Sequence, residues 1–218
     1  MKHLDRDLKK LTEQIQDLGR RVETALEKSI QAYLARDMVT ARNVVEGDKA
    51  IDLLEVDVEE DCLKILALHQ PVAADLRYVV TVLKVNNDLE RIGDLAANVA
   101  GRTIALADLG EAQAPTTLLL MSRISLDMVQ KSLQALVKPD TSLAKQVLEE
   151  DQRLDELHRR NMREFIQAMA DEPGRVPLVS QHLSVSRYLE RIGDQATNIA
   201  EDVIFLVDGE VVRHRESI

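Results

Sequence analysis

Glu90, Asp94 and Asn98 stand four residues apart, and the same residue types return at Glu190, Asp194 and Asn198. The repeat is longer than the polar residues themselves. Leu89-Glu90-Arg91-Ile92-Gly93-Asp94 recurs letter for letter as Leu189-Glu190-Arg191-Ile192-Gly193-Asp194, with Ala96 and Ala100 matched by Ala196 and Ala200. Such a match indicates an internal duplication. An α-helix turns about 100° per residue, so steps of four keep the two acids and the amide on one face. The stripe would be about 12 Å long. Oxygen donors in a row are suited to holding a hard cation, and two copies predict two equivalent sites.

A second acidic spacing lies upstream of each motif. Asp48-Lys49-Ala50-Ile51-Asp52 precedes the first, and Asp151-Gln152-Arg153-Leu154-Asp155 precedes the second. If each pair sits on a helix antiparallel to its motif helix, two acidic faces meet. Four carboxylates in one place repel unless protons or a cation intervene. An all-oxygen set favours Mg²⁺, Mn²⁺ or iron over metals that need thiolates. Gly93 and Gly193 each cost about 1 kcal/mol against alanine in a helix interior, which points to a close approach there. Acids at this spacing also describe a solvated helix face, which Arg91 and Arg191 could neutralise as ion pairs. His158 and His182 are accessory ligand candidates without a histidine counterpart in the other repeat, and both also read as ordinary side chains.

The elements that must carry these residues are long helices. Leu4, Leu8, Leu11, Ile15, Leu18 and Val22 repeat at three and four residues, the seam of a bundle. Asp37 is placed to cap a second helix that ends near His69, and Pro71 to open a third as its first residue. Gly110 to Thr117 reads as a linker, after which three more helices follow, the last carrying the second motif to Asp208-Gly209. The fold class is therefore all-α: two tandem, similar antiparallel three-helix bundles made of six long helices. The first repeat covers 1–110, the second 116–209, and 210–218 is a polar tail.

Composition agrees with that architecture and removes several functions. The 218 residues hold two Phe, three Tyr and no Trp, so aliphatic side chains must fill the core. A net charge of −10 without a Lys/Arg-rich run argues against nucleic acid and against direct docking on anionic lipid. The single Cys62 excludes an intrachain disulfide and a cysteine zinc site. No apolar leader or long uncharged apolar segment is visible, which predicts a cytoplasmic location.

The two Leu-Glu-Arg-Ile-Gly-Asp motifs, the Ala-x-Asn that follows each, the paired Asp-x-x-x-Asp segments and His69-Gln70-Pro71-Val72-Ala73-Ala74-Asp75-Leu76-Arg77 together resemble the PhoU family. These are accessory and regulatory proteins of bacterial phosphate-specific transport, and the resemblance covers nearly the whole chain. It implies metal clusters on Asp48, Asp52, Glu90 and Asp94 in one repeat and on Asp151, Asp155, Glu190 and Asp194 in the other. Asn98 and Asn198 are the additional ligands. The implied ions are divalent or ferric: iron, zinc, manganese, magnesium or nickel. It further implies a homodimer that contacts the phosphate ABC transporter ATPase and a sensor histidine kinase. Such a protein represses the phosphate-starvation response and reaches the membrane only through protein partners. Gln70, Asp75 and Arg77 form a candidate partner surface present once, because Pro177 stands where the first repeat has Arg77.

Two alternatives remain at this level. One is a di-iron or di-manganese enzyme on a helical bundle, although neither motif contains the Glu-x-x-His of such sites. The other is a structural helical protein whose acids are ion-paired. The leading expectation is a regulator without catalytic residues.

Overall fold

The computed structural model describes residues 2–107, 109, 110 and 114–209, so Glu111 to Gln113 of the linker and the tail 210–218 lie outside the described residues. Among these residues the regular elements are helices: α1 Lys2–Ala35, α2 Met38–Gly47, α3 Lys49–His69, α4 Ala73–Ala105, α5 Thr116–Val137, α6 Thr141–Asp171 and α7 Val176–Asp208. A single 3-10 turn, Pro173–Arg175, precedes α7. The seam read from α1 is real: Leu11, Ile15, Leu18, Val22 and Leu26 are all at most 2% exposed.

The chain punctuates these helices with short polar caps. Asp37 accepts from the amides of Val39 (2.9 Å) and Thr40 (3.1 Å), and Asp140 from those of Ser142 (2.9 Å) and Leu143 (3.1 Å). Each carboxylate satisfies donors that the first turn of a helix leaves open. Gly209, at φ 73°, closes α7 in the left-handed conformation that glycine adopts without strain.

Two details differ from the sequence expectation. The helix expected from Asp37 to His69 is interrupted at Asp48, so that α2 and α3 are two segments of one element. Asp48 keeps a right-handed backbone (φ −58°, ψ −40°), and its carbonyl accepts from both Ile51 (2.8 Å) and Asp52 (3.1 Å). Glycine followed by aspartate is a weak helix-forming pair, which locates the interruption. Counting that element once leaves the six long helices expected. Pro71 is not the first residue of α4. It lies buried in the turn, while the extended Val72 stands at the N-cap position. Gln70 (φ 46°) ends α3 in the left-handed region, and its amide bonds Leu66 O at 3.3 Å.

Helices α1, α2–α3 and α4 form one bundle, and α5, α6 and α7 the other. The two join chiefly along α4 and α7, with α1 also touching α5. One apolar core runs through both: Leu89 and Leu189, fully buried, belong to the same cluster as Leu18 and Met128. Polar ties cross the joint. Lys84 Nζ meets Asp202 at 3.0 Å and sits 5.1 Å from the Phe205 ring centroid, and Arg102 Nη1 donates to Gln181 at 3.2 Å. His182 is spent here and does not extend the acidic stripe. It is buried, with Nδ1 2.6 Å from the Tyr33 hydroxyl.

Truncating Leu89 or Leu189 to alanine should each lower unfolding free energy by about 2–5 kcal/mol, the range for a large core side chain. Leu53→Ala, at a site 70% exposed, should change it by less than about 0.5 kcal/mol in the same urea titration.

Candidate metal centre: two acidic ladders

Each motif helix packs against the helix that bears the upstream acid pair, and the pairs run antiparallel. In the first bundle Asp48 at the start of α3 lies against Gly93 of α4, while Glu55 lies two turns along against Asn86. In the second bundle Asp151 of α6 lies against Gly193 of α7, and His158 against Ser186. The acids thus form ladders: Asp48, Asp52 and Glu55 opposite Asp94, Glu90 and Asn86, and Asp151, Asp155 and His158 opposite Asp194, Glu190 and Ser186.

The glycines set the spacing. A methyl group on Gly93 would stand 3.2 Å from Ile51 Cγ2 and 3.4 Å from Asp48 Oδ1. On Gly193 it would stand 2.4 Å from Leu154 Cδ2 and 3.4 Å from Asp151 Oδ1. The missing side chain lets the facing helix come close enough for its carboxylates to reach across. This is the close approach that two costly helix-interior glycines predicted.

The first ladder converges: one oxygen each from Asp48, Asp52 and Asp94 lies within 4.8 Å of the others. Asp48 is half-buried, and its carboxyl is pushed up to about 6, first by burial, then by the charges of Asp52 and Asp94. Glu90 is raised by burial and by Asp94, Asp52 and Glu55. Asp151 is likewise pushed up to about 6, by burial and then by Asp155, Asp194 and Glu201. Burial also raises Glu190 and Asp194, with neighbouring acids adding to it. Among the described residues neither Arg91 nor Arg191 forms an ion pair with a ladder acid; the cation that does is Arg159, 2.9 Å from Asp155. Ion pairing therefore relieves only part of the repulsion.

The donor set and its surroundings fit a hard cation. Exposed oxygens of Asp52 and Asp94 face a half-buried Asp48, open to solvent on one side as an ion with water ligands requires. Among the described residues the buried Oδ1 atoms of Asn86 and Asn161 have no hydrogen-bond partner, and each asparagine sits at the rung of Glu55 or His158. A water bound to an ion is one donor that could satisfy such an acceptor.

Not every candidate sits in a ladder in the same way. Asn98 is exposed one turn beyond Asp94. Asn198 turns its amide across the bundle joint toward Asp88, at 3.4 Å. Gln70, Asp75 and Arg77 lie at the α3–α4 turn, about 30 Å along α3 from Asp48 at 1.5 Å per residue. That turn also exposes Leu68 and Val72, 76% and 75% accessible. The sequence reading missed Glu55 and Glu201. Both stand at helical spacing, a signal already in the sequence: Glu55 follows Asp52 by three on α3, and Glu201 follows Asn198 by three on α7.

The fold and the paired ladders define a class of tandem three-helix bundles with repeated acidic seams. The PhoU domain family model matches twice, over residues 15–103 and 118–203, and the chain belongs to the PhoU family. A protein of Aquifex aeolicus named phosphate-specific transport system accessory protein PhoU homolog is 38% identical over 97% of this chain and 96% of its own length. The crystal structure of PhoU from Pseudomonas aeruginosa superposes with a TM-score of 0.92 at 35% identity, covering 94% of this chain and 99% of that one. The phosphate transport system regulatory protein PhoU from Streptococcus pneumoniae does so at 0.88 and 30% identity, covering 96% and 99%. These relatives are named for accessory and regulatory roles.

A raised carboxyl favours the folded state only while protonated. Its contribution is full below the unfolded value, near 4, and is lost as pH rises through the folded value, near 6. Chelator-treated protein should therefore lose thermal stability between pH 4 and 7. Asp48→Asn and Asp151→Asn should each flatten that slope and raise the melting temperature at pH 7. A pH-independent difference between variant and parent would show that these carboxyls are not under mutual repulsion.

Proposed function

We propose that this chain is a cytoplasmic regulator of phosphate homeostasis, that its ladders hold divalent or ferric ions, and that it is not an enzyme. The observation that carries the metal reading is the convergence of Asp48, Asp52 and Asp94, with which no arginine among the described residues forms an ion pair. Asp48, Asp52, Glu90 and Asp94 would hold ions in the first bundle, with Asp151, Asp155, Glu190 and Asp194 doing so in the second. The bound ion would supply charge neutralisation, which lets two like-charged helices stay packed at neutral pH. This chain's residues position the carboxylates and leave one side open to water.

Family membership supports the cellular role. Regulation would proceed through contact with the phosphate ABC transporter's ATPase and with a sensor histidine kinase. Both are protein surfaces, as the charge of −10 and the absence of any membrane-crossing helix among the described residues favour. The exposed Leu68 and Val72 beside Gln70, Asp75 and Arg77 offer one contact surface, and a homodimer is the expected assembly.

Two experiments test this reading. Deleting the gene should derepress phosphatase in phosphate-rich medium, and unchanged repression would contradict the regulatory role. Tag-free protein should carry metal by elemental analysis, and Glu90→Gln with Asp94→Asn should remove about half of it if both ladders load equally. Equal metal content in parent and double variant would show that the first ladder holds none.

A further inference from the structure

The outer faces of the two ladder helices carry opposite charge. Residues of α3 and α6 correspond at the interval that relates Asp48 to Asp151, so Asp57 is equivalent to Arg160 and Glu60 to Arg163. Residues 50–60 hold five acids and no base, while 153–163 hold four arginines against two acids. The inward sides remain alike in burial, with Val58 matched by Asn161 and Cys62 by Phe165, all buried. Only the outward sides have changed sign.

Both faces are uncovered in the folded chain. Among the described residues α3 packs against α1, α2 and α4, and α6 against α5, α7 and the 3-10 turn, so neither meets the other bundle. Asp57, Glu60, Arg160 and Arg163 are exposed, and a spacing of three puts each pair on one side of its helix. Apolar side chains stand in the open beside them: Leu53, Val56 and Leu63 on α3, Met162 and Ile166 on α6. Local ion pairs take up little of the charge. Glu60 meets Lys64 at 3.0 Å and Arg160 meets Glu164 at 2.7 Å, each one turn along an exposed helix surface, where such pairs contribute little. Among the described residues Asp57 and Arg163 form no ion pair.

We infer that these faces are docking surfaces for a second copy of this chain, the acidic face of α3 in one copy receiving the arginine face of α6 in the other. This rests on the reading of the protein as self-associating and names the surfaces that would do it. Charge complementarity selects the occupant: an arginine face with exposed apolar side chains fits an acidic face of the same build, and this chain supplies one at the equivalent positions. Joining unlike faces makes the contact heterologous. Like faces repel, so the charges also decide which surfaces meet.

The test is sedimentation equilibrium of the full chain at low and high salt. The parent should associate at low salt, and salt should weaken the association because the paired charges are exposed. Asp57→Lys with Glu60→Lys, and separately Arg160→Glu with Arg163→Glu, should each weaken it by at least about tenfold. An equimolar mixture of these two variants should associate again, since each retains the face that the other has lost. Asp57→Asn with Glu60→Gln, and Arg160→Gln with Arg163→Gln, remove charge without reversing it and serve where a reversal fails to fold; each should weaken association by less than the reversals. Association of the parent that neither face's variants change overturns the assignment of these surfaces and leaves self-association standing. Weakened variants that stay apart when mixed overturn the pairing of the two faces. A parent that is monomeric at every concentration and salt overturns both the surfaces and the self-association.

Discussion

Like charges held face to face by helix packing are the constraint on which both bundles turn. Asp48, Asp52 and Asp94 approach one another because α3 and α4 are brought together by an apolar seam, with Ile51 seated against the bare backbone of Gly93. Burying Ile51, Val58, Cys62 and Ile65 on one side of α3 leaves the acids on the adjoining side with nowhere to retreat. Packing thus buries the carboxyls of Asp48 and Asp151, which raises them first, and sets them beside other acids, whose charges raise them further. Cys62 takes part only as a small core side chain, its thiol pushed up to about 12 by burial.

The same constraint explains why the joint between bundles is polar where it is. Helices α4 and α7 each present an acidic face to one neighbour and an apolar face to the core, and they meet along a third. Lys84 with Asp202, Arg102 with Gln181 and Tyr33 with His182 pair the polar groups that this third face would otherwise bury alone. His182 stays neutral there, lowered to about 4 by burial and by the charges of Arg36 and Arg175. The duplication is therefore not a strict symmetry. Val82, its counterpart, is simply core.

Much of this was legible in the sequence because it is periodic. The three-and-four spacing of Leu11 to Leu26 announces a bundle, the repeated hexamer announces two, and the acid pairs announce which helices face each other. What stayed hidden depends on register and on short-range competition. Without knowing that Glu55 lies opposite Asn86 and His158 opposite Ser186, the histidine looked unmatched. The interruption at Gly47-Asp48 is a contest between two weak helix formers and continuing tertiary contacts, which propensity alone does not decide. Pro71 lies in the turn because Gln70 takes the left-handed conformation, a backbone choice with no periodic signature. Asn198 shares the stripe with Asp194, yet its amide reaches the nearby Asp88 of α4.

A regulator built this way would have its stability governed by whatever neutralises the seams, and the central claim is that cations do so. The most direct measurement is an anomalous difference map from crystals grown with Mn²⁺ and collected at wavelengths either side of the manganese edge. The account predicts peaks between α3 and α4, within bonding distance of Asp48, Asp52 and Asp94, and a second site between α6 and α7. Manganese bound elsewhere in the crystal with both seams empty would contradict it.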